Sequence, residues 1–322
     1  MGANGAGKTN LLEGVHVATQ GFSPRTRSEG RLVRLGSEAA RASAHATASG
    51  AHVETSVTLR RSGPKDVLLN GAPASLDSLR SRLPVLVFLP DRLAVVKGAP
   101  AVRRTYFDRM LGRVMPEAST LPGNYAKALS QRAAALRRVR DGHAERESVE
   151  PWTEALAELG HELDTARSDL VVELSTRFAD SCETLGLSGA RAIYEPAEAT
   201  RAVLEDRLAR DIERGTTGAG PHLRDFVLTS DAGDLRAFGS QGQQRVAVLA
   251  LLLAEAACLR ERDRPPALLL DDVLSELDRE RRSALVSLLA GATQTLVTAT
   301  DTDDILDATC VVEVTPGFAR VA

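Results

Sequence analysis

Residues 2–9 read Gly-Ala-Asn-Gly-Ala-Gly-Lys-Thr, a complete match to the pattern G-x-x-x-x-G-K-[ST]. Nothing else in the chain restricts its fold so strongly. Glycines let the backbone close around phosphate oxygens with its N–H groups, the lysine brings a cation to the β- and γ-phosphates, and the threonine hydroxyl binds Mg²⁺ where a helix begins. Leu11, Leu12, Val15 and Val17 then fall close to one face of a helix. The pattern therefore predicts an α/β loop-to-helix unit. Its candidate ATP-binding residues are Gly2, Asn4, Gly5, Ala6, Gly7, Lys8, Thr9 and Asn10. A glycine-rich start with an incidental lysine is the alternative reading, and the helix that follows at once argues against it.

The chain has 322 residues, enough for one large or two unequal domains, and at 43% apolar and 26% charged it is globular. Forty basic residues against 43 acidic ones give a net charge of -3, which excludes a generic polycation and confines any nucleic-acid site to a local patch. Aromatics are 3% of the chain, so a base-stacking RNA surface is not expected. Cys182, Cys258 and Cys310 form no C-x-x-C pair, which excludes a zinc knuckle or disulfide framework and fits a reducing cytoplasm. The longest apolar run, Val246 to Ala254, is nine residues, too short to span a bilayer.

Along the chain, residues 38–70 shift to period two and end in Asn70-Gly71, a strong hairpin turn, which predicts an antiparallel β lobe. Pro84 to Phe88 reads as a buried strand. Residues 100–185 are mostly helical. Trp152, Leu156, Leu159, Leu163, Ala166 and Leu170 form a seam of under three heptads facing Tyr125, Leu129, Leu136 and Val139, a short αα-hairpin arm turning at 141–150. Beyond residue 225 strands and helices alternate, through ALLLDD, QTLVTAT and TCVVEV, which predicts a parallel sheet with helical crossovers.

Two further motifs bear on the first. Ala267 to Asp272 is an apolar strand ending in two carboxylates. In a P-loop ATPase the first, Asp271, supports the Mg²⁺ shell with Thr9, and the second, Asp272, orients the attacking water. Ser240-Gln-Gly-Gln-Gln-Arg245 opens a helix. Ser240 and Gln243 suit a capping box, yet capping does not call for Gly242 in the first turn, where glycine costs about 1 kcal/mol against alanine. A phosphate approaching the backbone there does, which makes Ser240, Gln241, Gly242 and Gln243 candidate nucleotide contacts.

A P-loop, an S-x-G-Q helix some 230 residues on and an acidic strand after it is the layout of the ABC-type ATPases. Within that superfamily the chain resembles the RecF family over essentially its whole length. The resemblance rests on residues 2–13, Pro90-Asp91, Lys97 to Pro100, Arg103-Arg104, Tyr125 with Leu129, Gln131 and Arg132, Gly220-Pro-His222, SQGQQR and LLLDDVLSELD. It implies an ABC-type, SMC-like head with an antiparallel β lobe and a helical lobe bearing a short αα arm. Residues 1–90 and 186–322 would form the ATPase head and 91–185 the helical arm domain.

The resemblance also implies an ATP-dependent homodimer in which one subunit's signature helix covers ATP on the other's P-loop. Such a dimer binds DNA at gaps and single-strand/double-strand junctions and, with RecR and RecO, promotes RecA loading, with no membrane partner. Hydrolysis should be slow, since Asp272 stands where many ABC ATPases have the longer Glu. An ABC transporter subunit is disfavoured by the inserted arm and by Thr300-Asp301 in place of a switch histidine, and an SMC protein by the short seam. A structural DNA clamp with an inactive nucleotide site is the remaining alternative.

Two departures stand out. The family's Arg-Asp-Asp run is here Leu223-Arg224-Asp225, so no role is carried to Leu223 or Arg224. The strand expected to feed the P-loop is not seen before Gly2, which predicts a mobile stretch over residues 2–5 and an N-terminal extension of about 25 to 35 residues in the natural product. Candidate DNA contacts are Arg25, Arg27, Arg31 and Arg34, then Arg103 and Arg104, then Arg132, Arg137, Arg138 and Arg140.

Overall fold

The computed structural model of the chain describes residues 1–26, 28–48, 50–275, 277–289, 294–300 and 308–322. They form two compact units, residues 1–92 with 259–322, and residues 93–258. The expected boundary placed 186–258 with the ATPase head; instead this segment packs with the helices. Among the contacts that join it to them, Phe226 stacks on Phe107 of the helical segment at 4.0 Å.

The first unit opens with α1 (Lys8–Gln20), stopped by Gly21 in the left-handed region at φ 74°. Strands β1 (Ala39–Ala48), β2 (Ala51–Arg60), β3 (Asp66–Leu69) and β4 (Ala72–Pro73) form an antiparallel sheet in that order. Between β3 and β4 lie Asn70 and Gly71, at φ 51° and 80°, the pair of positive angles that a tight hairpin turn demands. Helix α2 (Leu76–Arg82) starts on Ser75, whose Oγ accepts from the Ser78 N–H, and β5 (Val85–Phe88) follows. Val17 of α1, Val57 and Leu59 of β2, and Leu79 of α2 are all buried in one cluster that fixes α1 against the β lobe.

The second unit holds α3 (Ala94–Lys97), α4 (Pro100–Val114), α5 (Leu121–Arg140), α6 (Glu150–Thr184), β6 (Arg191–Tyr194), α7 (Arg201–Asp206), α8 (Leu208–Arg214), β7 (Phe226–Ser230), β8 (Gly233–Asp234) and most of α9 (Gln241–Glu261). Strand β7 pairs antiparallel with both β6 and β8, so it does not join a parallel sheet as the alternation suggested. The seam of α6 buries Thr153, Leu156, Gly160, Leu163, Arg167, Leu170 and Leu174. It thus runs longer than expected and leaves Trp152 37% exposed. By length and composition α9 is apolar enough to cross a membrane, but it is a largely buried core helix.

The chain returns to the first unit with β9 (Ala267–Leu270), α10 (Arg279–Leu289), β10 (Gln294–Val297), β11 (Val312–Thr315) and β12 (Phe318–Val321). The parallel sheet has the order β10-β9-β5. Strand β11 pairs antiparallel with β12 rather than extending it. The helix expected before β11 falls on residues 301–307, outside the described residues, as do Arg27, Glu276 and Asp301.

Candidate nucleotide site

The P-loop bends because its glycines sit where side chains are disfavoured: Gly2, Gly5 and Gly7 have φ of 148°, 82° and 106°. At Gly2 a β-carbon would stand 2.2 Å from the Val314 carbonyl oxygen, so only glycine admits this approach to β11. The residue before it is strapped to the same strand. The Met1 ammonium donates to Val312 O (2.6 Å) and the Met1 carbonyl accepts from Val314 N (2.7 Å). Gly7 caps α1 without a side chain, so no side-chain acceptor takes up the first-turn amides, which leaves donors aimed out of the helix end.

Lys8 folds back over the loop and its Nζ donates to Gly2 O at 2.6 Å and Ala3 O at 3.1 Å. Leu12 holds α1 onto the parallel sheet through Val85 and Leu269. That docking places Thr9 at the end of β9, where its Oγ1 donates to both carboxylate oxygens of Asp271, at 2.8 and 3.0 Å. Asp271 is 4% exposed. Its second support is Thr298, whose Oγ1 donates to Asp271 Oδ1 (2.8 Å) while accepting from the Asp272 N–H (2.9 Å). Asp272 is exposed, with its backbone at φ 52°. The structure thus brings Thr9, Asp271 and Asp272 together around Thr298, which sequence reasoning gave no role. The signal was the register: Val297 pairs with Leu270, so the next residue along faces Asp271.

The S-x-G-Q segment lies in the other unit. Ser240 Oγ accepts from the Gln243 N–H (3.2 Å) and Gln243 Oε1 accepts from the Ser240 N–H (2.9 Å), a complete capping box. Ser240 and Gln241 remain exposed, and a β-carbon at Gly242 would meet nothing nearer than Ser240 Oγ at 4.0 Å. Among the described residues no protein group explains the glycine, and the helix end is open to an incoming ligand. Gln244 fixes the preceding turn by donating to Leu235 O (2.7 Å) and Gly239 O (3.0 Å).

Two candidate DNA contacts are corrected. Arg103 is 3% exposed and committed to Asp225 and to the Val96 and Gly98 carbonyls; Arg132 is 0% exposed and bound to Asp211, Thr153 and Thr217. Neither reaches a ligand surface. Arg104 donates to Arg224 O, and Arg25 bridges Asn10 Oδ1 (3.3 Å) and Glu13 Oε2 (3.2 Å) beside the P-loop helix. Arg31, Arg34, Arg137, Arg138 and Arg140 are exposed. The Gly220-Pro-His222 segment is structural here: His222 lies under Tyr125, whose OH is 2.7 Å from its Nδ1. Burial lowers the His222 pKa, with the nearby Arg104 and Arg167 cations adding to the effect.

Among the described residues no group of three or more His, Cys, Asp or Glu side chains could hold a metal by itself. The loop instead offers amides, a lysine and one hydroxyl–carboxylate pair. That donor set suits a polyphosphate that brings its own divalent cation.

Fold and site together define an α/β head of the ABC-type P-loop ATPase class. A family model described as the RecF/RecN/SMC N terminal domain matches residues 1–319. The DNA replication and repair protein RecF of Moorella thermoacetica is 35% identical over 307 residues, covering 94% of this chain and 83% of the relative. RecF of Frankia alni is 35% identical over 331 residues, covering 95% and 87%. Among solved structures, the recombination mediator protein RecF-ATPrS in the RecFOR pathway superposes with a TM-score of 0.84 at 26% identity, covering 99% of this chain and 90% of that one. The Smc head domain of Pyrococcus furiosus shares the fold, with a TM-score of 0.59 at 17% identity over 100% and 88%. The chain belongs to the RecF family.

Proposed function

We propose that the protein is an ATP-operated, DNA-binding recombination mediator of the cytoplasm. ATP and Mg²⁺ bind at Gly2, Asn4 to Asn10 and Asp271, and Asp272 orients the attacking water. ATP binding drives a head-to-tail homodimer in which Ser240, Gln241, Gly242 and Gln243 of one copy close on the P-loop of the other. The dimer binds DNA at gaps and single-strand/double-strand junctions and, with RecR and RecO, promotes RecA loading. The observation that carries the reading is the array of Thr9, Asp271 and Thr298 beneath a glycine loop and lysine. The 35% identity to RecF of Moorella thermoacetica and the likeness to the RecF-ATPrS structure support it.

When bound, Mg²⁺ would neutralise charge on the phosphates, and Thr9 and Asp271 are the residues to hold it. Lys8 would turn its ammonium from the Gly2 and Ala3 carbonyls to the phosphate oxygens, and the α1 amides would fix their position. Asp272, short and exposed, holds water loosely, so turnover is slow and ATP acts as a switch. The test is equilibrium binding of a fluorescent ATP analogue and of duplex DNA with a single-stranded overhang. Lys8→Ala should abolish nucleotide binding and the ATP-stimulated part of DNA binding. Nucleotide affinity equal to that of the native chain would overturn the reading.

A further inference from the structure

Helix α8 carries an uncompensated cationic stripe. Arg207, at its start, Arg210 and Arg214 are spaced by three and four residues and share one face. The opposite face is fixed, because Leu208 and Ile212 pack on Leu136, Val139 and Val149 of the arm. That packing turns Arg210 and Arg214 to solvent, where both are exposed. Two arginines of α5 complete the surface. Gly215 ends α8 at φ 66°, and a β-carbon there would stand 2.7 Å from Arg137 Cγ and 2.9 Å from Arg140 Nη1. The end of α8 therefore lies directly under Arg137 and Arg140, an approach that only glycine permits.

The carboxylates around this surface compensate one of its arginines and leave the rest free. Asp211 is buried and consumed by Arg132, and Asp141, 2.9 Å from its neighbour Arg140, compensates that arginine alone. Glu213 and Asp206 are exposed and form no ion pair with the stripe. Among the described residues Arg137, Arg207, Arg210 and Arg214 have no acidic partner. On a chain of net charge -3 such a concentration of free guanidinium groups is a local departure from the whole.

We infer that the surface formed by α8 and the C-terminal end of α5 is the docking site for a nucleic-acid backbone, with Arg137, Arg210 and Arg214 each meeting a phosphate. This deepens the DNA-binding reading and rests on it. Arginine suits the task because its planar fork matches phosphate geometry while the charge never titrates away. With no aromatic residue among these positions, recognition is of the phosphodiester backbone and independent of sequence. Of the arginines the sequence offered, Arg137 on the arm, beside the end of α8, is selected, and Arg103 and Arg132 drop out.

The experiment is a salt titration of DNA binding by the full chain with ATP and Mg²⁺, using a duplex with a single-stranded overhang. The variant replaces Arg137, Arg210 and Arg214 by Gln, which keeps helix propensity close to that of Arg. Its log affinity against log salt should lose about 2 to 3 units of slope, with affinity near 0.1 M salt falling on the order of a hundredfold. Nucleotide binding should not change, and the matching triple Lys variant should restore most of the slope. An unchanged slope in the Gln variant, with native DNA binding intact, overturns the inference and leaves the DNA reading standing. So does an Arg31→Gln/Arg34→Gln variant that takes the slope instead, or a Gln variant that loses only a protein partner. If the native chain binds no DNA, the DNA reading fails and this surface assignment with it.

Discussion

At position 272 the backbone adopts φ 52°, shared among described non-glycine residues only with Asn70 and Asp263. Asp and Asn tolerate this left-handed region better than other side chains, so Asp272→Asn keeps the turn and removes only the carboxylate's charge. Single-turnover hydrolysis by that variant should fall by about a hundredfold, the lower range for loss of a general base, with ATP affinity retained. Unchanged turnover would move the water-orienting role elsewhere. The motif made both aspartates legible, but the sequence was silent on Thr298, because a threonine at a strand end gains meaning only once Val297 is paired with Leu270. His222 gives a second residue-scale expectation. Thr217 O can only accept, so Nε2 carries the ring proton and Nδ1 accepts from Tyr125. Burial holds the folded pKa below the ordinary 6.5, so the unfolded chain takes up a proton at higher pH than the folded one. Stability contributed by neutral His222 is thus complete above about pH 7 and declines as pH falls through 6.5 towards the folded value. Urea unfolding at pH 7.5 and 5.5 should show a larger loss for the native chain than for His222→Gln; parallel losses would contradict it.

The arm shows what element-scale pattern reading can and cannot find. Its two helices and their turn were legible from apolar spacing, but the facing register was not. Thr153, Gly160 and Arg167 occupy seam positions that an apolar search passes over, and Trp152 and Leu159 drew the seam one residue aside. Arg132 explains part of this polar seam. Its guanidinium donates to Thr153 Oγ1 on α6 (3.0 Å), Asp211 Oδ2 on α8 (2.8 Å) and Thr217 Oγ1 in the following loop (2.8 Å). Both members of the ion pair are buried, at 0% and 1% side-chain exposure, so removing one strands the other in a medium that cannot solvate it. Arg132→Ala should cost about 3–5 kcal/mol in urea unfolding. Replacing the pair together, Arg132→Met with Asp211→Leu, should cost less than that single change. Equal losses would show that the arginine acts by packing rather than by charge.

For the whole molecule, the order of motifs across the chain was legible, whereas the grouping of residues was not. The resemblance puts residues 186–258 with the head, yet they group with the helical unit, where Phe226 stacks on Phe107, a contact between residues 119 positions apart that no local pattern encodes. The capping box of α9 and the P-loop accordingly lie in different compact units. In the proposed dimer each supplies half of a phosphate site: one offers an exposed serine at a helix start, the other a glycine cradle with a lysine. Two copies joined head to tail would have two composite sites. Lys8→Ala removes the cradle from both, and Ser240→Ala the lid from both, so each variant alone should fail to dimerise on ATP, while Ser240→Ala still binds the nucleotide. A mixture behaves differently, because a heterodimer of the two variants keeps one site with Lys8 and Ser240 both intact. Sedimentation of the equimolar mixture with ATP should therefore recover a weakened dimer absent from either sample alone. Full-strength dimerisation by Ser240→Ala alone would sink the composite site, and no recovery on mixing would require both sites to be filled before the copies hold together.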